Sequence, residues 1–149
     1  MIGLEFFNDV APPEINKINY LSDWKTFQHH VANVLRKTYG GVKEEMYIGL
    51  KANGVMFRAD IVLTTPDKMT IIDTKLKNNT GTPDEKIMDK AYWIQHACTN
   101  WNYKNGIIIY GGTHWDKKVV THLADTILPQ LFPDVTMLRY EDDVELKSV

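Results

Sequence analysis

Residues 55–76 have the sequence VMFRADIVLTTPDKMTIIDTKL, and this stretch decides the fold. It contains two apolar runs separated by Pro66-Asp67, a pair of residues that is typical of a turn between strands. We therefore predict one strand over Val55–Thr64 and a second over Met69–Leu76. The second run is apolar enough to be a central strand of the sheet.

A first helix is predicted ahead of these strands, from Ser22 or Asp23 to about Tyr39, because apolar residues recur there at the spacing of one buried helix face. Those residues are Trp24, Phe27, Val31, Val34 and Leu35. Gly40-Gly41 follows and ends the helix.

The remaining predicted elements alternate between strands and helices. A helix begins at a capping box of Thr82 and Glu85, with Pro83 at the first helical position, and is broken by Asn105-Gly106. The other predicted elements are a strand over Val42–Leu50, a strand over Ile107–Tyr110, a weaker helix over about Asp116–Leu131 and a strand over Val135–Tyr140. The order α-β-β-β-α-β, followed by α-β, predicts an α/β fold. Helices should flank a mixed central sheet in a single domain over residues 1–149.

Composition excludes several classes of protein. The chain has 149 residues, of which 44% are hydrophobic and 24% charged, values that exclude a disordered tail, a collagen-like repeat and a disulfide mini-protein. Its single cysteine, Cys98, excludes an internal disulfide and a multi-cysteine metal site. No apolar run reaches the roughly 20 residues of a membrane span, and the N-terminus lacks a signal pattern, so we expect a soluble cytoplasmic protein without a membrane partner.

Charge is unevenly distributed along the chain. The net charge is −2, but residues 1–23 and residues 141–149 each carry −3, which leaves +4 for residues 24–140. An acidic periphery around a mildly basic centre is compatible with a polyanionic partner.

The two predicted middle strands carry the residues with the clearest chemistry. Side chains alternate along a strand, so Asp73 and Lys75 point to the same face, and pairing through the turn would make Asp60 a neighbour of Asp73. Two adjacent carboxylates raise each other's pKa unless a cation lies between them, and oxygen ligands of this kind suit Mg²⁺ or Mn²⁺. A lone Asp-X-Lys on a strand is more often a surface ion pair, so its significance comes from this placement.

At these residues the chain resembles the PD-(D/E)XK, or restriction-endonuclease-like, nuclease superfamily. That family has an α-β-β-β-α-β core with an acid on the second strand and (D/E)-X-K on the third. Asp60 matches the first acid, although Ala59 replaces the proline, and Asp73-Thr74-Lys75 matches the second element. The resemblance covers about residues 24–112.

The resemblance implies a metal-dependent nuclease in which Asp60, Asp73 and Lys75 are catalytic. Asp60 and Asp73 would hold Mg²⁺, with Mn²⁺ as a possible substitute, helped by the Thr74 carbonyl and Glu45. Lys75 would position the attacking water. Members often add a third acid from the first helix or strand. The helix lacks an interior glutamate, so Glu44 and Glu45 are the candidates, and spacing from Asp60 favours Glu45 over Glu44. The alternative interpretation is a solvated acid pair on an edge strand.

A basic rim around the predicted site would contact DNA. Its members would be Lys77, Asn78, Lys86 and Lys90, with solubilising lysines as the alternative interpretation. Gln95 on the second helix resembles a glutamine of exonuclease branches, but Thr99 stands where those branches place an aromatic residue. His29 or His30 could face the site, although a surface role is more common for such residues.

These patterns favour a divalent-metal-dependent DNA endonuclease of restriction, homing or junction-resolving type. A chain of this size contacts little duplex, so we expect a homodimer or higher homo-oligomer. One alternative is a RecB-like, mitochondrial-type or phage-type single-strand exonuclease, supported by Gln95 and the histidines. The other is a non-catalytic nuclease-like module for binding or assembly.

Overall fold

The structure of the chain is a computed structural model, which describes residue 21 and residues 23–77 and 85–140. The elements in chain order are α1 (Trp24–Arg36), β1 (Gly41–Leu50), β2 (Met56–Thr64), β3 (Met69–Leu76), α2 (Glu85–Asn100), β4 (Asn105–Gly111), α3 (Lys117–His122), a π-helical turn (Leu123–Ile127), α4 (Leu128–Leu131) and β5 (Val135–Arg139). This order confirms the predicted α/β fold.

The five strands form one mixed sheet in the order β1-β2-β3-β4-β5. The β1–β2 and β2–β3 pairs are antiparallel, whereas the β3–β4 and β4–β5 pairs are parallel. Parallel neighbours need a crossover connection, which α2 and the α3–α4 segment supply. Helices therefore cover both faces of the sheet, and the central strand β3 is buried along most of its length.

Two apolar clusters lie on opposite faces of the sheet. On one face α1 contributes Phe27 and Val31, which pack against strand residues such as Ile61 and Ile72. The α2 face has its own cluster, whose strand members include Ile71 and Ile108 and whose helical members include Ile87, Ala91 and Ile94. Each fully buried aliphatic side chain contributes about 1.5–3 kcal/mol of transfer free energy, so these faces fix the sheet between its helices.

Several sequence predictions need correction. The apolar spacing places Trp24 on the buried face of α1, yet 54% of it is exposed, because it stands at the first position of the helix. The helix ends at Arg36 rather than Tyr39, and Asn105-Gly106 begin β4 rather than only breaking α2. The capping residues Thr82 and Pro83 lie outside the described residues. No described helix combines the length and apolar character needed to cross a membrane.

The β2–β3 ladder is short, and this property positions the site. It has four residue pairs, from Thr64 opposite Met69 to Ile61 opposite Ile72. β2 pairs with β1 from Met56 to Thr64, and β3 pairs with β4 from Thr70 to Leu76, so both outer ladders continue past the end of the middle one. Backbone pairing between the two middle strands stops at Ile61 and Ile72, which leaves a fork between β2 and β3. Asp60 and Asp73 are the first residues past that last pair.

Candidate active site

The fork between β2 and β3 brings Asp60 and Asp73 together, as the sequence predicted. Asp60 is held from the opposite strand, because the Thr74 backbone N–H and the Thr74 hydroxyl both donate to Asp60 Oδ2, at 2.9 and 3.1 Å. The Asp60 carboxylate therefore accepts hydrogen bonds from β3 just past the last backbone pair of the β2–β3 ladder. Asp60 thereby fixes the position of Thr74, the middle residue of the Asp-Thr-Lys motif.

Asp73 is 2% exposed, which is unusual for a carboxyl group. Lys75 Nζ lies 3.2 Å from Asp73 Oδ2 and Lys90 Nζ lies 3.6 Å from Asp73 Oδ1. Oδ2 nevertheless makes no hydrogen bond within the described part of the chain, so the lysines are near it without satisfying it. Burial and the adjacent Asp60 charge raise the pKa of Asp73 to about 7, against the opposing effect of the two lysines.

Lysines from two elements reach this carboxyl group. Lys75 shares the face of β3 with Asp73, and Lys90 approaches from α2. Lys86 is exposed one helical turn before Lys90, which places it on the same side of α2. Lys77 Nζ lies 5.5 Å from the centre of the Trp115 ring, beyond the end of β3. The predicted rim residue Asn78 lies outside the described residues.

The two candidates for a third acid have partners of their own. Glu45 lies between the Glu44–Ile61 and Met46–Ala59 pairs of the β1–β2 ladder, at the level of Asp60. Its carboxylate, however, accepts from Arg58 at 3.0 Å and lies 3.5 Å from Lys25 Nζ. Its φ of 54° is left-handed, a conformation that is costly for a non-glycine residue within a strand.

Glu44 is held by a denser set of donors. His29 Nδ1 lies 2.9 Å from one of its oxygens and Arg36 Nη1 lies 3.0 Å from the same oxygen, while Gln28 Nε2 lies 3.4 Å from the other. Burial alone would raise the pKa of Glu44, but the hydrogen bonds from His29, Arg36 and Gln28 lower it on balance. His29 is therefore a hydrogen-bond partner of Glu44. The ring of His30 lies 2.8 Å from the Tyr140 hydroxyl.

Gln95 has a structural partner far along the chain. Its Nε2 donates to the Asp134 carboxylate at 2.8 Å, and its Oε1 accepts from the Asp134 backbone N–H at 2.8 Å. Both ends of the amide are thereby engaged in joining α2 to the turn before β5. The hydrogen bonds of Gln95 thus join it to Asp134 and not to the Asp60–Asp73 pair, and its role in an exonuclease stays a prediction.

Gln28 is a residue that sequence reasoning overlooked. It is fully buried, its Nε2 lies 3.4 Å from both glutamates of β1, and its Oε1 has no hydrogen-bond partner in the described structure. The available signal was its position, because residue 28 lies on the apolar stripe of α1, between Phe27 and Val31. A polar residue on such a stripe indicates a buried polar contact.

The residues at the fork fit a divalent cation. A buried carboxyl oxygen without a hydrogen bond lies beside a second carboxylate, and hard oxygen donors of this kind are the ligands that Mg²⁺ and Mn²⁺ prefer. Across residues 23–77 and 85–140, no third Asp, Glu, His or Cys joins them in a cluster that could hold a metal ion. Within the described residues the fork thus has two carboxylates, those of Asp60 and Asp73, and Glu45 does not cluster with them.

Comparison with known proteins identifies the family of the chain. The sequence model of the PD-(D/E)XK nuclease superfamily domain matches residues 18–146. No curated protein matches the chain in sequence. Among solved structures, Can2 from Sulfobacillus thermosulfidooxidans, in complex with cyclic tetra-adenylate, is 15% identical with a TM-score of 0.52, over 84% of this chain and 34% of Can2. Protein VC1899 from Vibrio cholerae is 13% identical with a TM-score of 0.48, over 83% of this chain and 31% of VC1899. The chain spans about a third of the length of both.

Proposed function

Since the chain belongs to the PD-(D/E)XK nuclease superfamily, we propose that it is a divalent-metal-dependent deoxyribonuclease that cuts within DNA strands. The observation that carries the proposal is the buried Asp73 carboxyl group beside Asp60 at the β2–β3 fork, with Lys75 Nζ 3.2 Å away. An acid buried at a cost to its own ionisation is typical of a functional site rather than of a stabilising ion pair.

Asp60 and Asp73 would hold Mg²⁺ or Mn²⁺, together with the Thr74 carbonyl. The bound ion would stabilise the charge that develops on the scissile phosphate and make water a better nucleophile. Glu45 would join this set only by leaving Arg58, which now holds its carboxylate at 3.0 Å.

The chain's own residues would do the rest of the positioning. The two Thr74 donors orient the Asp60 carboxylate, which pre-organises one ligand before the cation arrives. Lys75 is close enough to Asp73 to direct its ammonium group toward a water or a phosphate oxygen at the same carboxylate. Lys90, with Lys86 one turn away and Lys77 beyond β3, would neutralise the phosphates that flank the cut.

The proposal also covers the oligomeric state and the cellular location of the protein. Restriction-type, homing-type and junction-resolving enzymes all need more DNA contact than one domain of this size provides, so we propose a homodimer or higher homo-oligomer. A cytoplasmic location is part of the same proposal.

The test is cleavage of supercoiled plasmid by the purified chain with Mg²⁺, Mn²⁺ or Ca²⁺. We expect nicked or linear product with Mg²⁺ and Mn²⁺, and binding without cutting with Ca²⁺, whose looser coordination orients water poorly. Lys75→Ala should abolish cleavage while leaving DNA binding and the unfolding temperature near wild type, because the lysine acts in the transition state.

Lys104→Ala is the matched control, since Lys104 is exposed and its backbone binds Met69 at the other end of β3, about 20 Å from Lys75. It should cut normally. Wild-type cleavage by Lys75→Ala would place the active site elsewhere, and unfolding of that variant would make Lys75 a structural partner of Asp73. Release of nucleotides from ends would favour the exonuclease alternative, and no cleavage under any condition would favour a binding module.

A further inference from the structure

A row of basic and aromatic residues extends from Lys75 across the parallel half of the sheet. Lys75 pairs with Tyr110 on β4, and Tyr110 pairs with Arg139 on β5. Residues paired in register point to the same face, here the face of Asp73 and α2. With strands about 4.8 Å apart, Tyr110 and Arg139 lie about 5 and 10 Å from Lys75 along this row.

The aromatic and cationic groups of this row are held in place by backbone contacts. The Trp115 ring packs edge-on against Tyr110, with their centres 5.2 Å apart, and its indole N–H donates to the Gly111 carbonyl at 2.6 Å. The Arg139 guanidinium lies 5.7 Å from the centre of the Tyr110 ring and donates to the Gly112 carbonyl at 3.1 Å. These planes are therefore oriented before any ligand arrives.

The same residues line a cavity of about 420 Å³. Its lining is completed by the start of α3 and consists of Tyr110, Trp115, Lys117, Val120, Thr121 and Arg139. The volume is within the range of small-molecule sites, about 300–1,000 Å³. Among the described residues, the lining contains two cations, two aromatic rings and no carboxylate, a composition that suits a planar, apolar ring attached to a phosphate.

We propose that this cavity binds one unpaired nucleotide of the DNA strand, next to the phosphodiester bond that faces Lys75. The base would stack on one of the planes that the Trp115 ring, the Tyr110 ring and the Arg139 guanidinium present, and Lys117 would contact the phosphate. Each nucleotide of a stacked strand advances about 3.4 Å along the strand axis, so the 5–10 Å between Lys75 and the cavity corresponds to about one to three nucleotides.

The inference rests on the proposed nuclease function and adds the class of substrate. A base paired within a duplex already has both faces covered by its stacked neighbours, so only an unpaired base can offer a face to these side chains. The preferred substrate is therefore single-stranded DNA, or a duplex carrying an unpaired stretch at the cut.

The test measures binding of about 12 nucleotides of labelled single strand and of the matched duplex by fluorescence anisotropy, in EDTA so that nothing is cut. We expect Trp115→Leu and Arg139→Gln to weaken single-strand binding by about 5- to 150-fold, the range of one lost stacked base, and to change duplex binding less than about twofold. Trp24→Leu is the matched control, because Trp24 also carries a lysine near its ring, Lys25 at 5.9 Å, on the far side of the sheet. It should bind both DNAs as the wild type does.

Equal losses on single strand and duplex, or no loss with either variant, would overturn the proposal. If Trp115→Leu fails to fold, Arg139→Gln decides, since an amide can keep the Gly112 contact without offering the guanidinium plane. Suppose that the chain cleaves plasmid but the variants lose single-strand binding no more than duplex binding. That result would refute only the nucleotide cavity. A selective loss of single-strand binding without cleavage of any DNA would refute the proposed function and leave the cavity as a single-strand binding site.

Discussion

Two pairs of neighbouring carboxylates lie on the antiparallel side of the sheet, and their surroundings are opposite. Glu44 and Glu45 on β1 accept from His29, Arg36 and Arg58 at 2.9 to 3.0 Å. Their side chains keep 19% and 28% exposure. The pKa of Glu44 is lowered because these donors outweigh its partial burial. This pair is satisfied by the protein itself.

The Asp60–Asp73 pair is satisfied only in part, through the Thr74 donors to Asp60 Oδ2. Asp73 is almost fully buried, its Oδ2 accepts no hydrogen bond from the described residues, and its pKa rises to about 7 through burial and the Asp60 charge. Lys75 and Lys90 are nearby but do not compensate. The two pairs differ in their donors: the protein itself satisfies the Glu44–Glu45 pair, whereas Asp73 keeps a carboxyl oxygen open to the proposed cation.

The largest effect expected from this comparison is on catalysis. Asp73→Asn should lower cleavage by about 10²- to 10⁴-fold, because it removes a proposed metal ligand and the partner of Lys75. The matched change Glu44→Gln should lower it by less than about tenfold, since Glu44 is held by α1 and stands outside the fork. Both rates are measured on supercoiled plasmid at saturating Mn²⁺.

A loss of cleavage in Glu44→Gln as large as that in Asp73→Asn would break the comparison. It would mean that the β1 glutamates belong to the reacting machinery. Circular dichroism of both variants separates that outcome from unfolding.

The placement of Asp60 beside Asp73 can be predicted from the sequence, because local patterns determine it, whereas the catalytic roles of these residues stay predictions. β3 begins and ends where the apolar run does, and the Pro66-Asp67 turn brings Asp60 to Asp73. These features follow from strand alternation and turn chemistry over a few residues. The family assignment was confirmed for the same reason.

What the sequence did not predict depends on distant contacts. Nothing local to Gln95 indicates that it joins Asp134, 39 residues away. The local sequence likewise does not indicate that Trp24 is exposed or that Glu45 has a left-handed φ of 54°. The π-helical turn at Leu123–Ile127 likewise has no signal in the apolar spacing. Each is set by tertiary packing, which overrides local propensity.

A smaller effect is expected on metal affinity as a function of pH. A cation must displace the proton from Asp73, whose pKa of about 7 lies above the ordinary carboxyl range. The apparent dissociation constant for Mn²⁺ should therefore rise about tenfold for each pH unit below about 7 and level off above it. Calorimetric titrations at several pH values measure this. A flat affinity down to about pH 5 would mean that Asp73 is already ionised without metal.

The smallest effect is on the stability of the metal-free protein, where the two pairs should respond with opposite signs. The folded pKa of Asp73 lies above its unfolded value of 3.8, so folding binds a proton between about pH 4 and 7, and wild-type stability falls as pH rises through that interval. Asp73→Asn lacks this slope, so its unfolding temperature should exceed that of the wild type increasingly toward pH 8.

Glu44→Gln should instead be less stable than the wild type at neutral pH, because a carboxylate with a lowered pKa stabilises the fold when it is ionised. The difference in stability should shrink on acidification. For a chain of this size about 1 kcal/mol corresponds to about 2–4 °C, which thermal melts in EDTA resolve. If both variants shift the melt in the same direction at every pH, the two carboxylate pairs are equivalent in the folded protein, and the fork is not a site kept for a cation.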